Sequence, residues 1–536
     1  MTSLSTKPMN KRKLALLATA LCFASSCKDY LDVNTNPNSP AAANVTPNLL
    51  LAPMIHWMAT SPQLDARFVG RYAQEWEPSF NATSLSTWER MGYDAGSDNG
   101  AQQYRDVYWT LGQNLVGMNE KSTAEQRWDM LGVGQIITAW GWESLTDLHG
   151  DIILKEAFRP ELFTFHYDPQ QDVYTEVQRL LNEAIKNLAR TDGLVDQAYV
   201  AKTDRLFGGD RAKWTKLAYG MLARNLNHYS NKAAYNPTAV IAAVDKSFAS
   251  NTEDALFAYP AVSTDLTDYN FLGYTRNNIR AYRQTQFVIN LMNGTALGSS
   301  VDPRLSRMLS PSPDGVFRGI DINVAGGGLT TATYPMNFMG YVGTGGGTGL
   351  PSRYIFDDKS RFPVMTYAEL QFIKAEAAYR SGDKATALIA YRNGISAHLD
   401  FVNSRNSDNL QSPTQIPAAE KAAFLADPAV VPLTSAGLTL THIMTQKYIA
   451  LWGWGHNELW TDLRRYHYTD VDPASGKQVY PGFVPPTNLF VDNNNKVVYR
   501  LRPRYNSDYV WNRPGLDLIG GLAPDYHTVP LWISQP

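Results

Sequence analysis

The chain has 536 residues and a formal net charge of −2, because 48 Lys and Arg residues nearly balance 50 Asp and Glu residues. This balance gives no reason to expect nucleic acid as a partner. Charged residues make up 18% of the chain, against about 25% in ordinary soluble proteins. Tyr (29), Phe (20) and Trp (13) are abundant, which suits the binding of neutral ligands.

The N-terminal residues have the pattern of an export signal. Basic residues at 11–13 precede an apolar run over residues 14–23, and three small residues then lead to Cys27. The run has about ten residues, whereas a helix that crosses a bilayer needs about 20. We therefore predict a signal peptide over residues 1–26.

Cys27 is the predicted site of lipid attachment. The only other cysteine, Cys22, would leave with the signal peptide, so Cys27 would have no disulfide partner in the mature chain. Ala24 stands where a bacterial lipidation signal usually has Leu, which leaves free secretion with an incidental cysteine as the alternative. A lipid on Cys27 would tether the protein to a membrane.

The segment that follows, residues 32–40, is rich in Asn, Asp and Pro and predicts turns. Its spacing of Asp and Asn resembles the start of a calcium loop. However, Pro37 stands where that loop needs Gly, and Ala43 where it needs a bidentate Glu. We expect a structured tether without a metal.

Apolar residues at helical spacing then recur along most of the chain. They predict helices over residues 47–60, 102–121, 124–149, 172–189, 208–229, 237–248, 367–380, 383–398 and 440–467. The helices at 367–380 and 383–398 are joined by Ser381-Gly382 and are rich in small residues, including Gly394. A helix, a tight turn and a second helix within about 34 residues form a tetratricopeptide unit.

These patterns predict a mainly α fold. Helical pairs of this kind stack into an α-solenoid, because neither helix can bury its apolar face alone. We expect tetratricopeptide-type repeats over about residues 102–250 and 364–467. A large irregular, loop-rich ligand-binding lobe is expected over about residues 61–101, 254–363 and 468–536, within a single domain that spans residues 27–536.

Aromatic residues in the irregular segments are the candidate binding residues. A sugar ring offers an apolar face and a hydroxyl edge, so its site needs flat aromatic rings with polar side chains nearby. For each aromatic residue the alternative is ordinary core packing. We predict one glycan platform formed by two segments, with Trp76, Trp88, Tyr93, Arg90 and Asn81 from the first and Tyr274, Asn277, Tyr282, Arg283 and Tyr341 from the second.

Four parts of the sequence together resemble the SusD/RagB outer-membrane lipoproteins of Bacteroidetes, over nearly the whole chain. They are CKDYLDVNTNPN (residues 27–38), TDLHGD (146–151), GDRAKW (209–214) with its continuation to Arg224, and the C-terminal segments FPVMTYAEL (362–370), KAEAA (374–378) and NELWTDLRR (457–465).

The resemblance implies a non-catalytic protein on the cell exterior, anchored to the outer membrane by lipid. Such a protein lids a SusC-like TonB-dependent transporter and captures a nutrient, commonly an oligosaccharide or polysaccharide, for import. The repeats would face the transporter, and the irregular loops would hold the ligand. No cofactor or metal is implied.

Two alternatives stay open. Some family members bind peptides, so the ligand could be a peptide or another nutrient. The pairs Glu75/Glu77 and Asp147/Asp151 could also serve a glycan-degrading enzyme, whose two carboxylates lie about 5 to 10 Å apart. By contrast, we expect Lys213-Trp214 and the segment 369–376 to supply helix caps and ion pairs between helices rather than catalytic groups.

Overall fold

The computed structural model of the protein describes residues 45–78, 87–324, 328–330, 332–342, 353–408 and 415–536. The predicted signal peptide, Cys27, the turn segment at 32–40 and Asn81 lie outside these residues, so the expectations placed on them stay predictions. Residues Pro47–Pro536 form one compact unit.

The protein is mainly α, as predicted. Sixteen α-helices and four short β-strands occur in the described part of the chain. The helices are α1 Pro47–Tyr72, α2 Gln102–Arg105, α3 Gln113–Ala124, α4 Trp128–His149, α5 Gln170–Ala189, α6 Gln197–Ala201, α7 Arg211–His228, α8 Pro237–Val244, α9 Gln286–Met292, α10 Leu305–Met308, α11 Tyr367–Arg380, α12 Lys384–Asp408, α13 Ala418–Ala426, α14 Leu440–Leu451, α15 His456–Arg465 and α16 Arg513–Leu518. A π-helical turn, Asp106–Gly112, joins α2 to α3, and a second one spans Tyr505–Tyr509.

The longer helices form a continuous row. Helix α3 packs against α4, α4 against α5, α5 against α7, α7 against α8, α8 against α11 and α11 against α12. The contact between α8 and α11 joins the two predicted stretches of repeats, so the long segment between them is an insertion that leaves the row. Stacked helix pairs therefore form the scaffold.

Small residues allow this close stacking. A Cβ atom at Gly394 of α12 would lie 2.8 to 3.0 Å from the Phe372 ring of α11, and one at Gly132 of α4 would lie 2.7 Å from Leu188 Cγ of α5. Gly382 has φ +88°, which the tight turn between α11 and α12 requires and which glycine adopts without strain. The Ser381-Gly382 turn is thus confirmed.

Several helices differ from their predicted bounds. The helix predicted over 102–121 is divided by the π-helical turn, and α12 continues to Asp408, beyond its predicted end at 398. Helix α1 continues to Tyr72 through Pro62, because it buries apolar residues such as Met58 and Val69 on both sides of that proline. This burial outweighs a proline cost of about 3 kcal/mol. The helix predicted over 440–467 is instead two helices, α14 and α15, separated where Gly453 adopts φ +87°.

The four strands form two antiparallel pairs. Strand β1 (Trp76–Pro78) pairs with β3 (Tyr282–Gln284), and β2 (Ala255–Phe257) pairs with β4 (Phe362–Met365). Both pairs fasten the insertion to the rest of the fold. Among the described helices, none has the length and apolarity needed to span a bilayer.

Candidate ligand-binding site

Strands β1 and β3 bring the two segments of the predicted platform together. Pro78 is the register partner of Tyr282, and the ring centroids of Trp76 and Tyr282 lie 6.3 Å apart. Trp76 is fully buried, and its Nε1 donates to the carbonyl oxygen of Ala66 at 3.1 Å. A buried indole offers no face to a sugar, so Trp76 is a core residue and its place in the platform is corrected.

Tyr282 and Arg283 are also buried. The guanidinium of Arg283 donates to the carbonyl oxygens of Pro335, Arg280 and Tyr282, at 2.6, 2.9 and 2.9 Å. It therefore holds loops of the insertion in place rather than facing a ligand, and burial lowers its pKa to about 10. The predicted role of both residues in ligand contact is corrected to a structural one.

The other predicted residues divide between two places. Tyr274, Asn277 and Tyr341 are partly buried in the insertion and do not line the cleft described next. Arg90 donates to the carbonyl oxygens of Asn488 and Leu489, at 3.0 and 2.9 Å, and so fastens the first segment to the C-terminal region.

Trp88 and Tyr93 do line a cleft, of about 170 Å³, which we name the Tyr93 cleft. Its walls come from the loop after β1 and from the C-terminal region, about 400 residues later. Two tyrosines of the second π-helical turn stack on one wall, with centroids 5.9 Å apart and planes at 13°. The lining includes Trp88, Tyr93, Asp94, Ser97, Asn99, Arg502, Tyr505, Tyr509 and His527.

Asp94 organises one side of the Tyr93 cleft. Its carboxylate accepts hydrogen bonds from Trp88 Nε1 at 2.8 Å, from Asn99 Nδ2 at 2.8 Å and from Thr87 Oγ1 at 2.7 Å. Burial alone would raise the pKa of Asp94, but these hydrogen bonds lower it below its ordinary value. The cleft therefore carries an ionised acceptor at neutral pH. Among its aromatic residues Tyr505 is exposed, Tyr93 and Tyr509 are partly buried and Trp88 is buried.

Arg502 organises the opposite side. Its guanidinium carbon lies 4.5 Å from the Tyr93 ring centroid, and its Nε donates to the Tyr509 hydroxyl at 3.0 Å. The Tyr93 hydroxyl in turn donates to Asp492 Oδ2 at 2.9 Å. Tyr93 and Tyr509 are thus held in fixed orientations, which lowers the entropy cost of stacking a ligand on them.

We predicted that residues 468–536 belong to the binding lobe, but none of them was named as a candidate binding residue. Arg502, Tyr505 and Tyr509 were missed, although the segment RPRYNSDYVWN (residues 502–512) has the mixture of aromatic, Arg and Asn residues that marked the other segments. That composition was the available signal. The sequence alone does not show that this segment packs against Tyr93.

Three of the carboxylates weighed as catalytic groups make structural contacts. Glu75 Oε2 pairs with His456 Nδ1 at 2.6 Å, and Asp151 Oδ1 accepts from the backbone N–H of Gln170 at the start of α5. Asp147 and Glu458 flank the buried His228. Burial alone would lower the pKa of His228, but these two carboxylates raise it to about 10.

The helix caps and ion pairs expected from the repeat segments are present. Asp210 caps α7 by accepting from the backbone N–H groups of Ala212 and Lys213. Arg224 of α7 donates to Glu369 of α11 at 2.5 and 2.9 Å. These groups hold helices together and lie away from the Tyr93 cleft.

Comparison with known proteins decides the family. A family model described as "starch-binding associating with outer membrane" matches residues 37–487, most of the chain. The protein belongs to the SusD-like family. The resemblance found in the sequence is therefore confirmed, and the association with the outer membrane is a property of the family as a whole.

Solved structures share the SusD-like fold. A SusD/RagB family protein from Bacteroides thetaiotaomicron VPI-5482 matches with a TM-score of 0.68 at 22% identity, covering 92% of this chain and 99% of that one. A SusD homolog from Bacteroides fragilis NCTC 9343 matches with 0.69 at 18% identity, covering 92% and 100%. A chitin-binding SusD homolog from Flavobacterium johnsoniae matches with 0.68 at 18% identity, covering 91% and 98%. No curated protein sequence matches the chain.

Proposed function

We propose that this SusD-like protein is a non-catalytic surface lipoprotein that captures an oligosaccharide or polysaccharide at the Tyr93 cleft. It delivers the glycan to a SusC-like TonB-dependent transporter in the outer membrane, to which lipid on Cys27 keeps it close. The family description and the chitin-binding relative support the glycan class. The observation that carries the proposal is the Tyr93 cleft itself.

The cleft matches the two faces of a sugar ring. Tyr505 and Tyr509 supply aromatic surface for the C–H face, since Tyr505 is 38% exposed while its ring is held against Tyr509. Asp94, Ser97 and Asn99 supply acceptors and donors for the hydroxyl edge. This arrangement binds a neutral, hydroxyl-rich ligand better than an apolar one.

Isothermal titration of the full-length protein against neutral oligosaccharides tests the proposal. Tyr505→Ala is expected to weaken binding by about two- to tenfold, the range that corresponds to an aromatic contact of about 0.5–1.5 kcal/mol. The matched control is Tyr219→Ala, which removes a partly exposed tyrosine from α7, away from the cleft. Equal affinities of the two variants would place the ligand elsewhere.

The same titration separates the alternatives. Binding of peptides, with no heat from any oligosaccharide, would replace the glycan by a peptide in the same role. Chromatography of each oligosaccharide after long incubation should return it intact, because Glu75 is paired with His456, Asp147 lies beside the buried His228 and Asp151 accepts from the backbone at the start of α5. Shortened products would contradict the non-catalytic role.

A further inference from the structure

A second cleft, larger than the first, lies on the other side of the Tyr505–Tyr509 turn. We name it the Trp511 cleft. It encloses about 460 Å³, within the range of about 300–1,000 Å³ that ligand pockets occupy. Aromatic rings from three segments dominate its walls, namely Tyr108, Trp109, Phe158, Phe163, Phe165 and Trp511.

Three of these rings are unusually exposed. Phe163 is 89% exposed, Trp511 75% and Trp109 68%. Large aromatic side chains normally bury most of their surface, because each one gains free energy from leaving water. Exposed rings around a preformed cavity therefore indicate a surface that is covered when a ligand binds.

Both π-helical turns in the described part of the chain contribute to this one cleft. The turn Asp106–Gly112 carries Trp109, and the turn Tyr505–Tyr509 carries Asp508. Such turns make up well under 1% of residues in proteins and occur frequently at functional sites. In the first turn, a Cβ at Gly112 would lie 2.1 Å from the Phe158 ring, so only glycine lets that ring form the wall.

Asp508 supplies the polar group of the Trp511 cleft. Its side chain is 2% exposed, and its Oδ1 accepts hydrogen bonds from the hydroxyls of Tyr104, at 3.0 Å, and Tyr167. Its Oδ2 is buried and accepts no hydrogen bond from the residues that the structure describes. Burial raises the pKa of Asp508 to about 6, against the opposing effects of hydrogen bonds from Tyr167, Tyr104 and Asn512 and of the nearby Arg504 charge.

An unpaired buried carboxylate oxygen costs free energy unless a donor reaches it. The charges at the rim of the cleft are already compensated. Arg504 forms an ion pair with Asp98, and the guanidinium of Arg105 lies 4.5 Å from the Trp109 ring centroid. Neither arginine donates a hydrogen bond to Asp508 Oδ2, so a neutral hydroxyl or amide donor suits that position.

We propose that the Trp511 cleft is a second saccharide site, in which a pyranose ring stacks on the exposed indoles and donates a hydroxyl or amide hydrogen bond to Asp508 Oδ2. The inference rests on the proposed function, since it assigns a second place of contact for the same class of ligand. The two clefts share the Tyr505–Tyr509 turn, with Tyr505 and Tyr509 on one side and Asn506 and Asp508 on the other.

Titration of the full-length protein with the oligosaccharides used above tests this inference. Trp511→Ala should weaken binding by about two- to tenfold through loss of the ring, whereas Trp511→Phe should retain most of the affinity. Asp508→Asn should weaken binding by about tenfold or more, because an amide can keep the two tyrosine hydrogen bonds yet loses the charged acceptor. Leu518→Ala, which removes an exposed apolar side chain outside both clefts, should have no effect.

The outcomes distinguish the two proposals. If Tyr505→Ala weakens glycan binding but Trp511→Ala and Asp508→Asn do not, the second site is overturned and the proposed function is kept. No glycan binding by the unaltered protein overturns both. A third outcome concerns Trp511→Ala alone. If this variant keeps its glycan affinity but no longer co-purifies with an outer-membrane transporter, the saccharide site is overturned and the cleft is identified as a protein contact. Unfolding midpoints of all variants check that each one is folded.

Discussion

Arg465 and Glu376 form a fully buried ion pair between α15 and α11, and replacing Arg465 by Met is expected to destabilise the protein strongly. Arg465 Nη1 donates to Glu376 Oε1 at 2.9 Å and Nη2 donates to Oε2 at 3.1 Å. Both side chains are 0% exposed. Arg465→Met would leave the Glu376 charge in the core with only weaker partners, among them the Tyr466 hydroxyl at 2.7 Å.

Loss of one partner from a buried pair costs about 3–5 kcal/mol when the remaining charge has no other compensation. Arg380 Nε, 3.5 Å from Glu376 Oε1, and the Lys447 charge place the expected cost toward the lower end of that range. The double variant Arg465→Met/Glu376→Met should be less destabilised than the sum of the single variants, with a coupling of about 1–3 kcal/mol. Urea unfolding followed by tryptophan fluorescence measures each free energy of unfolding from its midpoint and slope. Arg318→Met, which breaks the exposed pair with Asp314, is the control and should cost at most about 1 kcal/mol.

The pH dependence of this effect has a definite sign. Burial alone would raise the pKa of Glu376, but the charges of Arg465 and Lys447 hold it well below the ordinary value of 4.5. A carboxylate with a lowered pKa stabilises the fold above the pKa of its unfolded form, and this contribution is lost as the pH falls. The cost of Arg465→Met should therefore be full at pH 7 and shrink below about pH 4. Strict additivity of the single variants, or a cost below about 0.5 kcal/mol at pH 7, would refute the reasoning.

Three further predictions concern other parts of the chain. Burial raises the pKa of Glu143 to about 8, so the folded state loses stability as the pH rises from about 4.5 to 8. Glu143→Gln should therefore stabilise the protein by a few kcal/mol at pH 8, and urea titrations should show no gain in the free energy of unfolding near pH 4. Gly394→Ala should cost about 1–3 kcal/mol by pushing on Phe372, whereas Gly117→Ala, with open space around its Cβ, should stabilise by up to about 1 kcal/mol in the same assay. Cys27→Ala should move the protein from the membrane to the soluble fraction on centrifugation and leave the titrated glycan affinity unchanged; a fall in affinity would contradict the separation of anchor and binding site.

The scaffold was predictable because its causes are local. Apolar residues at helical spacing predicted the helices at 172–189, 208–229 and 367–380 near their observed positions, and Gly382 marked the tight turn between α11 and α12. The cap by Asp210 also follows from a short pattern at the start of α7. Each of these features depends on residues that are neighbours in sequence or on adjoining turns.

The sequence predicted the types of residue in the candidate site but not which residues form it. The aromatic-rich loop after β1 was predicted to bind a glycan, and two of its residues, Trp88 and Tyr93, line a cavity. Their contact with a ligand stays a prediction. Trp76 and Trp88 are both buried, at 0% and 3% exposure, yet Trp76 packs among Trp452, Phe338 and Phe356 whereas Trp88 lines the Tyr93 cleft. No local pattern separates these two tryptophans, because their surroundings depend on what the distant chain places against each one.

The amino-acid sequence by itself determined the helical repeats and the family, because periodicity, turn residues and short motifs are properties of short segments. Only the tertiary structure decided that Tyr93 meets Arg502 and Tyr509, that Asp508 lies below exposed indoles, and that the helix expected over 440–467 breaks near Gly453. These features arise from contacts between residues hundreds of positions apart, where packing and burial outweigh local preference.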